Sequence, residues 1–219
     1  IIDALLPAQE IVVTQWFHCD CLQNYYATES FDERHWQVIE KFIKTAVELV
    51  RKNGTDSINA RAIAAELECS TQPIFSNFAT MDELQREVIS ASYKTYLEFI
   101  ANEEKRGEYP RYKAYGMAYI RFADEERELF KLLFMRDRTG ADLSPSADFE
   151  QSVEMIMRAN GVTREQAWRM HLEIWSCVHG IGTMLATSFL PLEEALISEI
   201  ISDVYQGVLA RCVGKEGQV

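Results

Sequence analysis

From Trp36 onward the apolar residues recur at three- and four-residue steps. Val38, Ile39, Phe42, Ile43, Ala46, Val47, Leu49 and Val50 form one such run, and Asn53-Gly54 closes it. That period is the signature of an amphipathic helix. A short helix is predicted after Asn59, a good N-cap, with Ile63, Ala64 and Leu67 turned inward. Another is predicted from about Thr71 to Phe75, with Ser70 as its N-cap. Thr80-Met81-Asp82-Glu83 reads as a capping box that launches a long helix through Leu84, Val88, Ile89, Tyr93, Tyr96, Leu97 and Ile100. Gly107 and Pro110 break the pattern, and helices are predicted over 111–125, 127–136, 146–159, 164–189 and 192–212. Ser144 before Pro145, the box Thr163-Arg164-Glu165-Gln166 and Pro191 mark the later starts. Residues 1–35 show no clean period; Ile11-Val12-Val13 suits a short strand, and the segment is read as an extension.

The expected fold class is therefore all-α. Three regions are expected: an N-terminal extension at 1–35, a three-helix helix-turn-helix domain at 36–81, and a second helical domain at 82–219. The long helix from Asp82 should join the last two rigidly.

Composition narrows the function. Ten Gly and five Pro are few for a chain of many short strands. A content of 47% hydrophobic and 26% charged residues fits a packed protein rather than a disordered one. The net charge of -12 argues against a general polyanion binder. Five scattered cysteines form no disulfide framework and read as reduced thiols, which suits a cytoplasmic protein, as does an N-terminus without a basic secretion-signal region. The stretch 174–192 has no charged residue, but His179, its hydroxyls and Pro191 favour a buried interface helix over a membrane span. No phosphate loop, dinucleotide fingerprint or zinc-protease motif occurs, and no catalytic constellation is found, so neither an enzyme nor a cofactor is expected. His18, Cys19 and Cys21 lack a fourth metal ligand, and His171 and His179 are too far apart on one helix to share an ion.

A helix-turn-helix needs two short helices crossing closely over small apolar residues, with polar side chains left outward at the start of the second. Ile58, Ile63, Ala64, Leu67, Ile74, Phe75 and Phe78 are the expected core, and Ser70, Thr71, Gln72, Ser76 and Asn77 the outward face. Pro73 falls in the first turn, where its missing N–H costs nothing. The stretch from Ser57 to Ala64, then Cys69-Ser70-Thr71-Gln72-Pro73-Ile74-Phe75-Ser76-Asn77-Phe78, then Asp82-Glu83-Leu84, resembles the N-terminal pattern of the TetR family of transcriptional regulators. With the helix before it, the match covers about 60 residues. Two positions depart from the family. Met81 stands where a phosphate-contacting Lys is common, and Glu68-Cys69 stand where the turn usually carries Gly, which implies backbone strain or a different turn there.

The resemblance implies a homodimeric regulator, generally a repressor, that leaves double-stranded operator DNA when a small molecule binds. On that basis the expected DNA-binding residues are Asn59, Arg61, Ser70, Thr71, Gln72, Pro73, Asn77 and Thr80. Tyr119-Ile120-Arg121-Phe122-Ala123, Glu128 to Phe134, and Trp175-x-x-x-His179-Gly180 look like the effector-binding domain of a subgroup with a Trp-His-Gly element. Tyr115, Tyr119, Phe122, Phe134, His171, Trp175 and His179 are the expected lining of a pocket for a small apolar effector. In the last helix, Leu196, Ile200, Val204 and Val208, with Ile197, Ile201, Tyr205 and Leu209 beside them, make a stripe wide enough for a four-helix dimer interface with the helix before. The alternative is a TetR-like small-molecule or protein-binding module that has lost specific DNA binding, which Met81 and the acidic balance permit. Residues 36–90 carry six Lys or Arg against eight Asp or Glu.

Overall fold

The computed structural model describes residues 33–137 and 147–213. The expected strand at Ile11–Val13, the Ser144-Pro145 helix start and Cys19 and Cys21 lie outside the described residues. Among the described residues there are nine α-helices and no strand: α1 Glu33–Asn53, α2 Ala60–Glu66, α3 Gln72–Asn77, α4 Met81–Arg106, α5 Arg111–Glu125, α6 Arg127–Phe134, α7 Ala147–Asn160, α8 Arg164–Ala186 and α9 Glu194–Val213. A 3-10 turn, Thr55–Ser57, comes after α1. The chain divides into two compact units, Ile1–Glu40 and Lys41–Val219, and the second holds the end of α1 and all of α2–α9.

Helix boundaries reflect the local chemistry. The Asn59 side chain accepts from the Ala62 amide at 2.9 Å and so caps α2. Thr163 and Gln166 form a complete capping box at the start of α8. At α4 the Thr80 hydroxyl accepts from Glu83 N, but the Glu83 carboxylate reaches Ala79 N, one residue before the cap. Gly107 ends α4 at φ +65, a left-handed position where a Cβ would be strained. Three expectations shift. Thr71, not Ser70, precedes the first residue of α3, and it makes no side-chain cap. α8 ends at Ala186 rather than 189, with Ser188 at φ +54 closing it. α9 begins at Glu194, three residues beyond Pro191.

α8 is the hub, packing on α5, α6, α7 and α9, while α4 packs on α5 and α6. α5 and α8 run parallel, since Tyr112 meets His171 and Tyr119 meets His179 further along both. Their approach is close because residues without bulk stand at the contact. A Cβ on Gly182 would lie 3.1 Å from the ring of Phe130 and 3.3 Å from Ala123 Cβ. Phe130 and Ala123 are fully buried and have nowhere to retreat. Gly182→Val should therefore destabilise the protein by about 1–3 kcal/mol through overpacking. Denaturant unfolding monitored by helical circular dichroism measures it, and an unchanged midpoint would contradict this packing.

Candidate nucleic-acid interface and effector core

α2 and α3 pack against each other as the two arms of a helix-turn-helix. Ile63, Ala64, Ile74, Phe78 and Leu84 are buried at the crossing, and the Phe42 ring of α1 meets Phe78 edge-on at 6.5 Å. Phe75, expected in this core, is instead 54% exposed. The reason is angular: on a helix this short Ile74 takes the single inward position, and its neighbour is turned about 100° away. Glu68 lies in the tight turn at φ +50, the strained conformation expected where glycine is missing.

The expected DNA-binding residues are brought to one stretch. Arg61, Ser70, Gln72, Pro73 and Thr80 are exposed, and Thr71 and Asn77 are half-buried. Several are already engaged. Asn59 and Thr80 spend their oxygens on caps, Asn77 donates to Pro73 O at 2.6 Å, and Ser76 donates to Gln72 O at 3.0 Å. Arg61 is exposed and makes no ion pair among the described residues.

The expected effector residues fall into two groups and one outlier. Tyr119, Phe122, Phe134 and His179 converge. Tyr119 and Phe134 have ring centroids 4.7 Å apart, and the Tyr119 hydroxyl and His179 Nδ1 are hydrogen-bonded at 2.8 Å. Tyr96 of α4 completes the cluster, stacking edge-on against Phe134 at 5.3 Å, and Phe130 lies against Tyr119 at 5.2 Å. Their own rings fill the space between them. Trp175 stacks on His179 at 5.1 Å and remains 40% exposed, so it caps the cluster rather than lining it. His171 belongs to a second group, hydrogen-bonded to Tyr112 at 2.8 Å and edge-on to Phe149 at 4.4 Å. Tyr115 is the outlier, its hydroxyl accepting from Arg111. Tyr96 and Tyr112 are members of these groups that sequence reasoning did not assign to the site; their helical spacing on α4 and α5 is the only signal that marks them.

An open, polar hollow of about 670 Å³ lies elsewhere, lined among others by Arg51, Gly54, Asp124, Glu126 and Glu128. Arg51 donates through Nε and Nη2 to the two Glu126 oxygens at 2.9 Å each, a bidentate pair. Beside it the 3-10 turn packs on α6, and a Cβ on Gly54 would lie 3.2 Å from Glu128 Oε2. Thus α6 carries Phe130 and Phe134 into the aromatic cluster and Glu128 to the turn after α1.

Comparison with known proteins is consistent with this arrangement. A TetR-like transcriptional regulator from Rhodococcus sp. RHA1 is similar with a TM-score of 0.61 and 16% identity, over 79% of this chain and 96% of that one. The multidrug binding protein EbrR, solved with imidazole, is similar with a TM-score of 0.54 and 17% identity, over 79% and 90%. Residues 112–202 match the family model described as tetracyclin repressor-like, C-terminal domain. The fold is that of a TetR-like transcriptional regulator. A second family model, the catalytic domain of glycoside hydrolase 123, matches residues 16–139 and overlaps the first over 112–139. The described elements of that span are all helical, α1–α6. No curated protein gives a significant match. Among the described residues no helix is long and apolar enough to cross a membrane, and no His, Cys, Asp and Glu cluster could hold a metal.

Burial lowers the His171 pKa from 6.5 to about 4. The folded state therefore refuses, between pH 6.5 and 4, a proton that the unfolded chain accepts. Stability should fall as pH drops through that window, by up to about 3 kcal/mol from this group. His171→Gln, neutral throughout, should flatten the dependence of unfolding free energy on pH; an identical pH slope in the variant would refute the assignment.

Proposed function

We propose that this protein is a ligand-responsive transcriptional regulator, a repressor in the cytoplasm, that binds operator DNA as a homodimer through α2 and α3. The observation that carries the reading is the TetR-like fold with a packed helix-turn-helix whose second helix turns Gln72 outward. Thr71 and Gln72 would read bases, the Gln72 amide pairing with adenine, while Asn59, Arg61, Ser70, Asn77 and Thr80 would hold phosphates beside Pro73. Asn59 and Thr80 also cap helices, so their loss would confound folding with binding. Arg61 and Gln72 are the clean probes. Gln72→Ala should relax base preference, whereas Arg61→Ala should weaken all sequences alike and flatten the salt slope by about 0.9. Enrichment of genomic fragments at low salt tests this; no enrichment over random DNA would defeat the regulator reading in favour of a module without DNA binding.

The homodimer would form through α8 and α9. Trp168, Leu172 and Trp175 lie on one face of α8 at four- and three-residue steps and are 43%, 38% and 40% exposed, with Leu196 of α9 at 45%. One row of the expected α9 stripe is not free for this: Ile197 and Ile201 are buried within their own protomer. Leu172→Glu should therefore convert a dimer to a monomer in sedimentation at micromolar concentration without unfolding it, an outcome Ile201→Glu could not deliver. A wild-type monomer, or a dimeric Leu172→Glu variant, would contradict the interface.

The effector would be a small apolar molecule that binds by parting the Tyr119–Phe134–His179 rings. The Trp175-x-x-x-His179-Gly180 element would mark its entrance, consistent with the Trp-His-Gly subgroup. Because α6 bears both Phe134 and Glu128, opening the cluster would load the contact with Gly54 and the helices behind it. The shift from DNA is bounded by how much more tightly the effector holds the opened state.

A further inference from the structure

We propose that Phe75 is a base-reading residue that recognises the C5-methyl group of thymine in the major groove; this rests on the DNA-binding reading above. α3 has six residues, of which Ile74 alone is buried. The polar side chains at its end are turned back on its own backbone: Ser76 donates to Gln72 O and Asn77 to Pro73 O. What α3 offers outward is therefore the Gln72 amide, the Pro73 ring beside it and, one turn on from Gln72, a phenyl ring that is 54% exposed.

A phenyl ring has no donor for a phosphate and none for a base edge. Leaving it in water forgoes the burial that the crossing below gives to Ile74 and Phe78. A helix-turn-helix places this face in the major groove, where the thymine methyl is the apolar feature among donors and acceptors. Gln72 and Phe75 lie three residues apart on the same face. Together they can read adjacent base pairs: the amide takes adenine by two hydrogen bonds, and the ring takes a neighbouring thymine by contact. The site so described is A/T-containing and is read largely without ionic contacts, which suits a helix-turn-helix segment carrying more acids than bases.

The test isolates one methyl group. Duplexes are selected with the full-length protein from a random library at low salt, and each thymine of the enriched site is then replaced by deoxyuridine, which lacks only that methyl. One thymine per half-site should lose about fourfold in affinity, the value of one buried methyl. Phe75→Ala should bind the thymine and deoxyuridine duplexes equally, and Phe75→Leu should keep part of the difference. Melting temperature checks that the exposed substitutions leave the fold intact. Selection of a site at which no deoxyuridine matters, or a Phe75→Ala variant that weakens selected and random DNA alike, overturns the role of Phe75 and leaves DNA binding standing. Failure to enrich any duplex overturns both.

Discussion

The parallel contact between α5 and α8 is the constraint on which the rest of the larger unit hangs. Four levels define it: Tyr112 with His171, Gly116 against Val178, Tyr119 with His179, and Ala123 against Gly182. The small residues let the axes approach, and the two Tyr–His hydrogen bonds satisfy polar atoms that the approach desolvates. Each pair fixes the rotation of α8 about its own axis. Trp168, Leu172 and Trp175 lie on the same flank of α8 as His179, at the margin of the contact with α5, and they are partly exposed.

A second junction ties the helix-turn-helix to that framework. Arg51 at the end of α1 grips Glu126 at the corner between α5 and α6, and the turn at Thr55–Ser57 rests on α6. Both Arg51 and Glu126 are part-buried, so the fork is worth more than a solvent-exposed pair. Glu128 is steadied by Lys131 one turn along and faces Gly54, where a left-handed backbone and the absence of a side chain permit the contact. α6 has eight residues with fully buried Leu129 and Phe130, and it cannot shift without moving both junctions.

Most of the fold was legible in the sequence because its helices announce themselves locally. The Asn59, Thr80 and Thr163 caps and the Gly54 and Gly107 stops are one-turn signals, and each falls within a residue or two of the observed boundary. The strain at Glu68 is a local signal of the same kind. What stayed hidden depends on rotation and on partners distant in sequence. Phe75 and Ile74 are adjacent and both apolar, and only the crossing with α2 decides which is inside. Ile201 and Leu196 share an apolar stripe, yet α5 claims the first and leaves the second exposed. Trp175 and His179 share a face one turn apart, but His179 reaches Tyr119 while Trp175 stacks on His179 and stays at the rim.

The acidic character of the chain then takes on a specific meaning. Around the helix-turn-helix the acids are partly engaged within the protein: Glu66 pairs with Lys52 at 3.2 Å, and the Glu83 carboxylate accepts a hydrogen bond from the Ala79 amide at 2.7 Å. Lys52 is thereby removed from the pool of cations, as Arg51 is by Glu126, which leaves Lys41, Arg61 and Arg86 exposed without an ion pair among the described residues. Counterion release scales with the number of phosphates neutralised, so such a surface gains little from DNA in general. Discrimination between sequences must then come from side chains that make no ionic contact, and α3 carries no charged residue at all. A surface poor in cations gives up affinity for random DNA first, and that loss raises the ratio by which a correct site is preferred.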